Sequence, residues 1–567
     1  MAPVTYYPPR FQEVKVNPPK FFTNARNDGN LPSCWFELYY NGRTLKYTVE
    51  VFGEKEQPSS GFPLYIGLHG GGSGALSGND GAWKDVAERF YRTPVADYHK
   101  GSNESAVLVC PRGISSLDSD GNLVDTWDLH FQPEACVLIE AMLVNLFKPF
   151  PSDSDLQSCL ADYPQLAKYQ VSGAADGVFV NPNRVYLWGF SAGGDGAFRL
   201  GTKIPDRFAA VVAAAGHPGE TRFTNAANVP MLLEVGEDDC YPRPKNLYEP
   251  IQWQRAKVYL ESAQKALYDL RQGLSEAEKD GYYQYACYVV KNARRFSANP
   301  DTPHGYWSQP DTISTEQDVL APGLENNNEG VNNFTNFDKW LKQYAMVQPP
   351  PARFSSACAS YESKVINPIT DPLVQGVERR ATPGMVTWDL DWRAEQPESN
   401  TKGRFFYWMY LRAPDKIQEL SATSRTMKAR IDAGDSANVL RILTPNAHIG
   451  YLLKDLWLWK RISVFVGEDT TPIWTGSVIK QPQIEQETLS ARGDPNLQFS
   501  AMLYLEETDD GGWDVKQAAS IDDPIPPPTN PLTCQCPVHI ALASMDFATK
   551  LQHPVLVNGF GPPSRRF

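Results

Sequence analysis

The chain has no excess of basic residues: 53 Lys and Arg stand against 66 Asp and Glu, a net charge of −13. That argues against nucleic acid or an anionic membrane as partner, since both recruit proteins through a basic surface. No window approaches 18 uninterrupted apolar residues, so no transmembrane helix is expected. The N-terminus, MAPVTYYPPRFQEVKV, lacks the basic and apolar regions of a secretory signal. Cysteine is sparse: nine, an odd number, are scattered through 567 residues, which is usage for a reducing compartment and not a disulfide scaffold. The expected location is therefore cytoplasmic, where the sequons at Asn103 and Asn333 have no consequence. Cys534, Cys536 and His539 fall short of the four ligands a structural zinc needs. No metal and no organic cofactor is expected. Oligomeric state is not legible, and no internal repeat is present.

What the chain has is length, aromatics and a core. At 42% hydrophobic and 12% aromatic it reads as globular, and 567 residues imply two or three domains. Residues 32–56 read as a hairpin, CWFELYY and LKYTVEVFG flanking Asn41-Gly42. Short apolar runs follow: PLYIGLHGGG, AVLVCPRG, RVYLWGFSAGG, AAVVAAAG, PMLLEVGEDD and YACYVVKN, most closed by Gly or Pro. Each suits a strand buried on both faces. EACVLIEAMLVNLF and the segment from Asp195 to Thr202 read as helices between them. Such alternation specifies an α/β domain with a mostly parallel sheet covered on both faces, here residues 1–346 with the hairpin at its start. Within it, 241–303 carries the helical pattern WQRAKVYLESAQKALYDLRQGL and reads either as a cap over a pocket or as plain scaffold. Residues 347–359 are a Pro-, Ala- and Ser-rich linker. From 360 to 522, runs such as GMVTWDLDW, RFFYWMYLRA, RISVFVGE and FSAMLYLEE predict a smaller antiparallel β-sandwich. Residues 523–567 form a Pro-rich tail.

The chemistry centres on Gly189-Phe190-Ser191-Ala192-Gly193. A G-x-S-x-G match alone is a weak signal. Here it follows the strand run VYLW and opens the helix-like DGAFRLG, the strand–turn–helix context a nucleophilic serine elbow requires. The helix N-terminus beneath Ser191 favours developing negative charge. Upstream, His69-Gly70-Gly71-Gly72 follows the strand PLYIGL. Glycines let backbone N–H groups approach an oxyanion, each such donor contributing roughly 3 kcal/mol to transition-state stabilisation. The expected donors are Gly71 or Gly72 and the Ala192 amide. An orienting acid should come next in chain order, and a base after it. PMLLEV ends in Gly236-Glu237-Asp238-Asp239, at a strand's C-terminal edge, with Asp239 the choice and Asp238 the reserve. Of eight histidines, only His217 and His304 lie between the elbow and the second domain. His217 precedes the acid and breaks the order, which leaves His304 as base. No metal is needed for such a triad.

At these motifs the chain resembles the α/β-hydrolase superfamily, in its esterase, polyhydroxybutyrate-depolymerase-like and prolyl-oligopeptidase-like branch. The likeness rests on the HGGG loop, the lead Asn183-Arg184-Val185-Tyr186-Leu187 into GFSAGG, and the GEDD turn followed by Tyr241 and Arg243. Members of this group often carry an extra β-domain, to which residues 380–510 are loosely similar. The resemblance implies an α/β-hydrolase fold, a triad at Ser191, Asp239 and His304, and oxyanion donors at Gly71, Gly72 and Ala192. The implied reaction is cleavage of a small-molecule carboxylic ester through an acyl-enzyme. A serine peptidase on small peptides and an acyltransferase are the alternatives, and a dead binding module the least favoured. Trp127, His130 and His217 are candidates to line the pocket. The aromatic run FFYWMYL reads as sandwich core in preference to a carbohydrate-binding face.

Overall fold

A computed structural model describes residues 19–40, 43–53, 60–71, 76–101, 104–113, 116–117, 123–124, 133–147, 180–219, 221–236, 239, 259–290, 359–362, 376–380, 382–390, 405–412, 426–433, 437–454, 461–479 and 499–518. Every apolar run singled out above in the first half of the chain is a strand. Among the described residues, ten strands form one sheet in the order β1-β2-β3-β5-β4-β8-β9-β10-β11-β12. They are β1 (Lys20–Thr23), β2 (Cys34–Tyr40), β3 (Arg43–Phe52), β4 (Phe62–Leu68), β5 (Ala106–Pro111), β8 (Val180–Phe190), β9 (Ala210–Ala214), β10 (Met231–Gly236), β11 (Tyr285–Val290) and β12 (Ala359–Glu362). Among the described residues, the small strands β6 (Ser116–Leu117) and β7 (Leu123–Val124) pair only with each other. β2 and β3 pair antiparallel out to Tyr40↔Arg43, on either side of Asn41-Gly42. β1 and β3 also pair antiparallel, with β2 and β5, whereas β4, β5 and β8 to β12 run parallel.

The parallel strands are apolar on both faces because helices cover both. On one face Leu64, Ile66, Val185 and Leu187 join α3 (Pro133–Phe147), α4 (Ala192–Lys203) and α5 (Lys265–Gln272) in a single core. On the other, Tyr65, Tyr186 and Trp188 meet α1 (Leu76–Asp85), a π-helical turn Val86–Phe90 and α2 (Arg92–His99). Neighbours β4 and β8 therefore send their connections to opposite faces. That is a topological switch point, where the loops diverge and leave a crevice at the strands' C-terminal ends.

Of the two readings open for 241–303, the described part fits the scaffold, and two expectations are corrected. A π-helical turn Tyr259–Gln264, α5 and the short α6 (Glu276–Lys279) form the crossover between β10 and β11, with Tyr259, Ala263 and Leu267 in the sheet's core. The boundary at 360 falls inside β12, which pairs parallel with β11 and extends the large sheet; four residues after a Pro-rich run give no periodicity to reveal this. The second β region is not wholly antiparallel. It comprises one sheet of β13 (Met385–Asp389), β16 (Thr426–Ala433), β17 (Ala437–Ile442), β19 (Arg461–Val466) and β20 (Trp474–Gly476). The other holds β14 (Phe405–Phe406), β15 (Met409–Leu411), β18 (Ile449–Lys454), β21 (Phe499–Glu507) and β22 (Trp513–Gln517). β17 and β19 pair parallel because the chain between them crosses into the other sheet as β18 and returns. The two sheets share one core, in which Phe406, Tyr407 and Trp408 are no more than 2% exposed. Core packing therefore accounts for that part of the aromatic run, and these rings are not available to a sugar.

This sandwich is bolted to one particular edge of the large sheet. The Asn225 amide accepts from the Asp389 N–H at 2.6 Å and donates to the Asp389 carbonyl at 3.1 Å. Asn228 donates to the Met385 carbonyl, Arg379 to the Asp206 carbonyl and the Asn183 side chain, and Tyr186 to the Val377 carbonyl. Asn183, Asp206, Asn225 and Asn228 all lie toward the N-terminal ends of the parallel strands. Asn183 and Ser191 are eight residues apart along β8, about 26 Å of extended chain. The sandwich is thus docked opposite the switch-point crevice. A cavity of about 470 Å³ beside Asn228, Gln284 and Arg380 lies at this junction, far from Ser191.

Candidate active site

Ser191 follows β8 and caps α4 with φ 58° and ψ −121°. A non-glycine residue there stores about 1–3 kcal/mol of strain. The surroundings impose it: the Ser191 N–H donates to the Ala214 carbonyl at 2.9 Å, and the Ser191 carbonyl accepts from the Asp195 N–H at 3.0 Å. The flanking glycines are steric necessities. A Cβ at Gly189 would lie 1.9 Å from the Gly193 carbonyl oxygen, and one at Gly193 would lie 2.1 Å from the Leu68 carbonyl oxygen. Ser191 is 6% exposed, Ala192 is buried, and the Ala192 amide opens α4 beneath the serine.

The loop leaving β4 closes on the serine. A Cβ at Gly70 would come within 3.2 Å of the Ser191 Cβ, so the Gly70 backbone passes beside Ser191, with Gly71 next to it. His69 holds that loop in shape. Its Nε2 accepts from the Gly113 N–H at 2.7 Å, so the proton must sit on Nδ1, which donates to the Gly70 carbonyl at 2.6 Å. Burial, helped by the nearby Arg112 cation, pushes the His69 pKa down to about 4 against the Gly70 hydrogen bond and Asp80. The neutral tautomer that the geometry requires is thus the stable one. Tyr91, after the π turn, donates to the Leu68 carbonyl at 2.9 Å, and the Phe190 backbone hydrogen-bonds to the same hydroxyl. In the sequence His69 belongs only to the glycine loop, and neither Gly70 nor Tyr91 stands out. The histidine leading the glycines was the available signal; an isolated tyrosine offers none.

A pH dependence follows from His69. Its folded pKa lies below the ordinary 6.5, so between pH 6.5 and 4 the unfolded chain binds a proton that the folded chain does not. Stability falls as pH drops through that window, by about 3 kcal/mol in total, and this part is constant above it. Urea titrations at pH 7 and pH 4.5 should show His69→Gln losing less stability than wild type over this interval. Equal losses would show that His69 does not titrate as described.

Asp239 follows β10 and is 0% exposed; its N–H donates to the Gly236 carbonyl at 3.2 Å. It stands two strands from β8 on the same C-terminal edge, roughly 10 Å across the sheet. His217, after β9 on that edge, donates its backbone N–H to the Asp195 carboxylate in the first turn of α4. The structure thus brings Ser191, Ala192, Gly71, Asp239 and His217 to one edge. His304, Gly72, Trp127, His130 and Asp238 lie outside the described residues. Cys534, Cys536 and His539 do too.

No protein-family model matches the chain. It is 28% identical over 207 residues to NocK of Nocardia uniformis subsp. tsuyamanensis, an esterase by name, covering 36% of this chain and 47% of that protein. The chain thus spans about half the length of this curated relative. Among solved structures, a thermostable esterase is 18% identical with a TM-score of 0.26, over 48% of this chain and 58% of its own. Siderophore hydrolase EstB from Aspergillus nidulans is 13% identical with a TM-score of 0.27, over 51% and 91%. This chain is similar in part to an esterase.

Proposed function

We propose that this chain is a cytoplasmic serine esterase of the α/β-hydrolase type, acting on a small-molecule carboxylic ester. The observation that carries the reading is the backbone of Ser191, held at positive φ at a switch point with the Gly70 backbone against it. Such strain persists only where the surroundings over-determine it, and here it lifts a serine to a strand's C-terminal edge at a helix N-terminus.

In this reading His304 takes the proton from the Ser191 hydroxyl as its oxygen attacks the ester carbonyl. Asp239, buried on the same edge, holds the imidazole in the tautomer that can accept it. The Ala192 N–H and that of Gly71 or Gly72 stabilise the oxyanion. His304 then protonates the departing alkoxide, leaving an acyl-enzyme. Water, deprotonated by His304, releases the acid and restores Ser191. Trp127, His130 and His217 line the pocket. The sandwich, docked at the far edge, forms a separate domain with a structural role.

The test is a matched pair of substrates. A short-chain aryl ester should turn over at least a hundredfold faster than the anilide of the same acid. The reverse preference would favour a peptidase, and a rate multiplied by an added alcohol, with the new ester as product, would favour an acyltransferase.

A further inference from the structure

Two tyrosines on opposite faces of the sheet end at the same place. Tyr91 belongs to the core under α1 and α2, and Tyr259 to the core under α4 and α5; both are 0% exposed. Each adjoins a π-helical turn: Tyr91 follows Val86–Phe90 and Tyr259 opens Tyr259–Gln264. π turns shift the side chains after them off the regular α spacing, and they gather at functional sites. The Tyr91 hydroxyl donates to the Leu68 carbonyl, immediately before His69 and Gly70, and is hydrogen-bonded by the Phe190 backbone, immediately before Ser191. Its ring lies edge-on to Trp188 of β8, centroids 4.4 Å apart.

Tyr259 holds the other side. Its hydroxyl accepts from the Gly216 N–H at 2.7 Å and donates to the Ala213 carbonyl at 3.3 Å. Residues 213–216 are the bed of the elbow. Ala214 accepts from the Ser191 N–H, and Ala215 is held at φ 49°. Gly216 is so close to α4 that a Cβ on it would lie 2.4 Å from the Gly194 carbonyl carbon. The Tyr259 ring also lies edge-on to Phe198 of α4, at 5.4 Å.

From these contacts, and resting on the serine-esterase reading, we infer that Tyr91 and Tyr259 are positioning residues for Ser191, clamping the nucleophile elbow from both faces of the sheet. Tyr91 sets the distance between the oxyanion loop and the elbow. Tyr259 sets the height of the elbow on its bed. Neither hydroxyl touches substrate. Loss of either lets the Ser191 hydroxyl drift by a fraction of an ångström from its attack geometry, and a misplacement of about 1 Å can cost on the order of a hundredfold in rate.

The experiment compares Tyr91→Phe and Tyr259→Phe with Tyr283→Phe. Tyr283 is a buried tyrosine whose hydroxyl donates to the Thr224 carbonyl at 3.0 Å, at the far edge of the sheet. Kinetics on a short-chain aryl ester are normalised to the fraction of Ser191 labelled by a fluorophosphonate. All three variants should lose similar Tm. Y91F and Y259F should each show kcat about tenfold lower with KM within twofold of wild type, while Y283F keeps wild-type kcat. Normal kcat in Y91F and Y259F would overturn the inference and leave the esterase reading intact. A wild-type chain that is not labelled at Ser191 overturns both. If either variant fails to fold, 3-fluorotyrosine at that position keeps the ring and alters the hydroxyl; a smaller fall in kcat is expected, and no fall overturns the inference.

Discussion

Ser191→Ala is expected to lower kcat on a short-chain aryl ester by about 10⁵-fold or more, with KM and Tm close to wild type. In the proposed mechanism the oxyanion donors and the pocket survive the substitution, so binding and some residual acceleration over water remain. The covalent route does not survive, because nothing else described at that edge offers a nucleophile beside the Gly70 backbone. The backbone strain is also unchanged, since alanine suffers at φ 58° much as serine does. The variant should therefore fold, and its loss of activity can be read as lost chemistry. A fall of only tenfold would mean that water is activated directly and that Ser191 is a bystander.

Gly193→Ala is expected to cost at least a hundredfold in kcat/KM and several degrees in Tm. The new methyl would sit 2.1 Å from the Leu68 carbonyl oxygen and 2.8 Å from that of His69, and both are backbone atoms that no rotamer change can move. Either α4 must retreat or the loop leaving β4 must lift, and both movements separate the Ser191 hydroxyl from the proposed oxyanion donors. Gly273→Ala is the control. That glycine has φ −71°, and its Cβ would meet its nearest neighbour, the Leu270 carbonyl oxygen, at an ordinary 3.4 Å. Circular dichroism and ester turnover on both variants check the claim. Wild-type activity in Gly193→Ala would mean that the loop and the elbow are not locked together as described.

What could be read from the sequence was local. The central strands of the parallel sheet announced themselves because both faces are buried, which gives each an apolar run. The elbow was legible because strand, glycine-flanked turn and helix occupy adjacent residues. The hairpin β2–β3 was legible for the same reason. What escaped depends on partners far along the chain. Asn225 bonds the Asp389 backbone across 164 residues, and nothing around either residue hints at it. The strand β12 is four residues long and owes its existence to the free edge of β11. β17, β18 and β22 were not singled out, and the parallel pairing of β17 with β19 follows from the chain changing sheets, which periodicity does not encode. Tyr91 and Tyr259 look like any buried tyrosines until the sheet brings their hydroxyls to the elbow. His69 was closer to being read. A histidine leading three glycines is visible in the sequence, but its tautomer comes from Gly113, 44 residues away.

The central claim is that Ser191 is the nucleophile. It is tested most directly by incubating the folded chain with a fluorophosphonate and mapping the adduct by mass spectrometry. The account predicts a single adduct on the peptide containing Ser191, with ester turnover lost in step with labelling. An adduct on another residue with the same loss of turnover would contradict it.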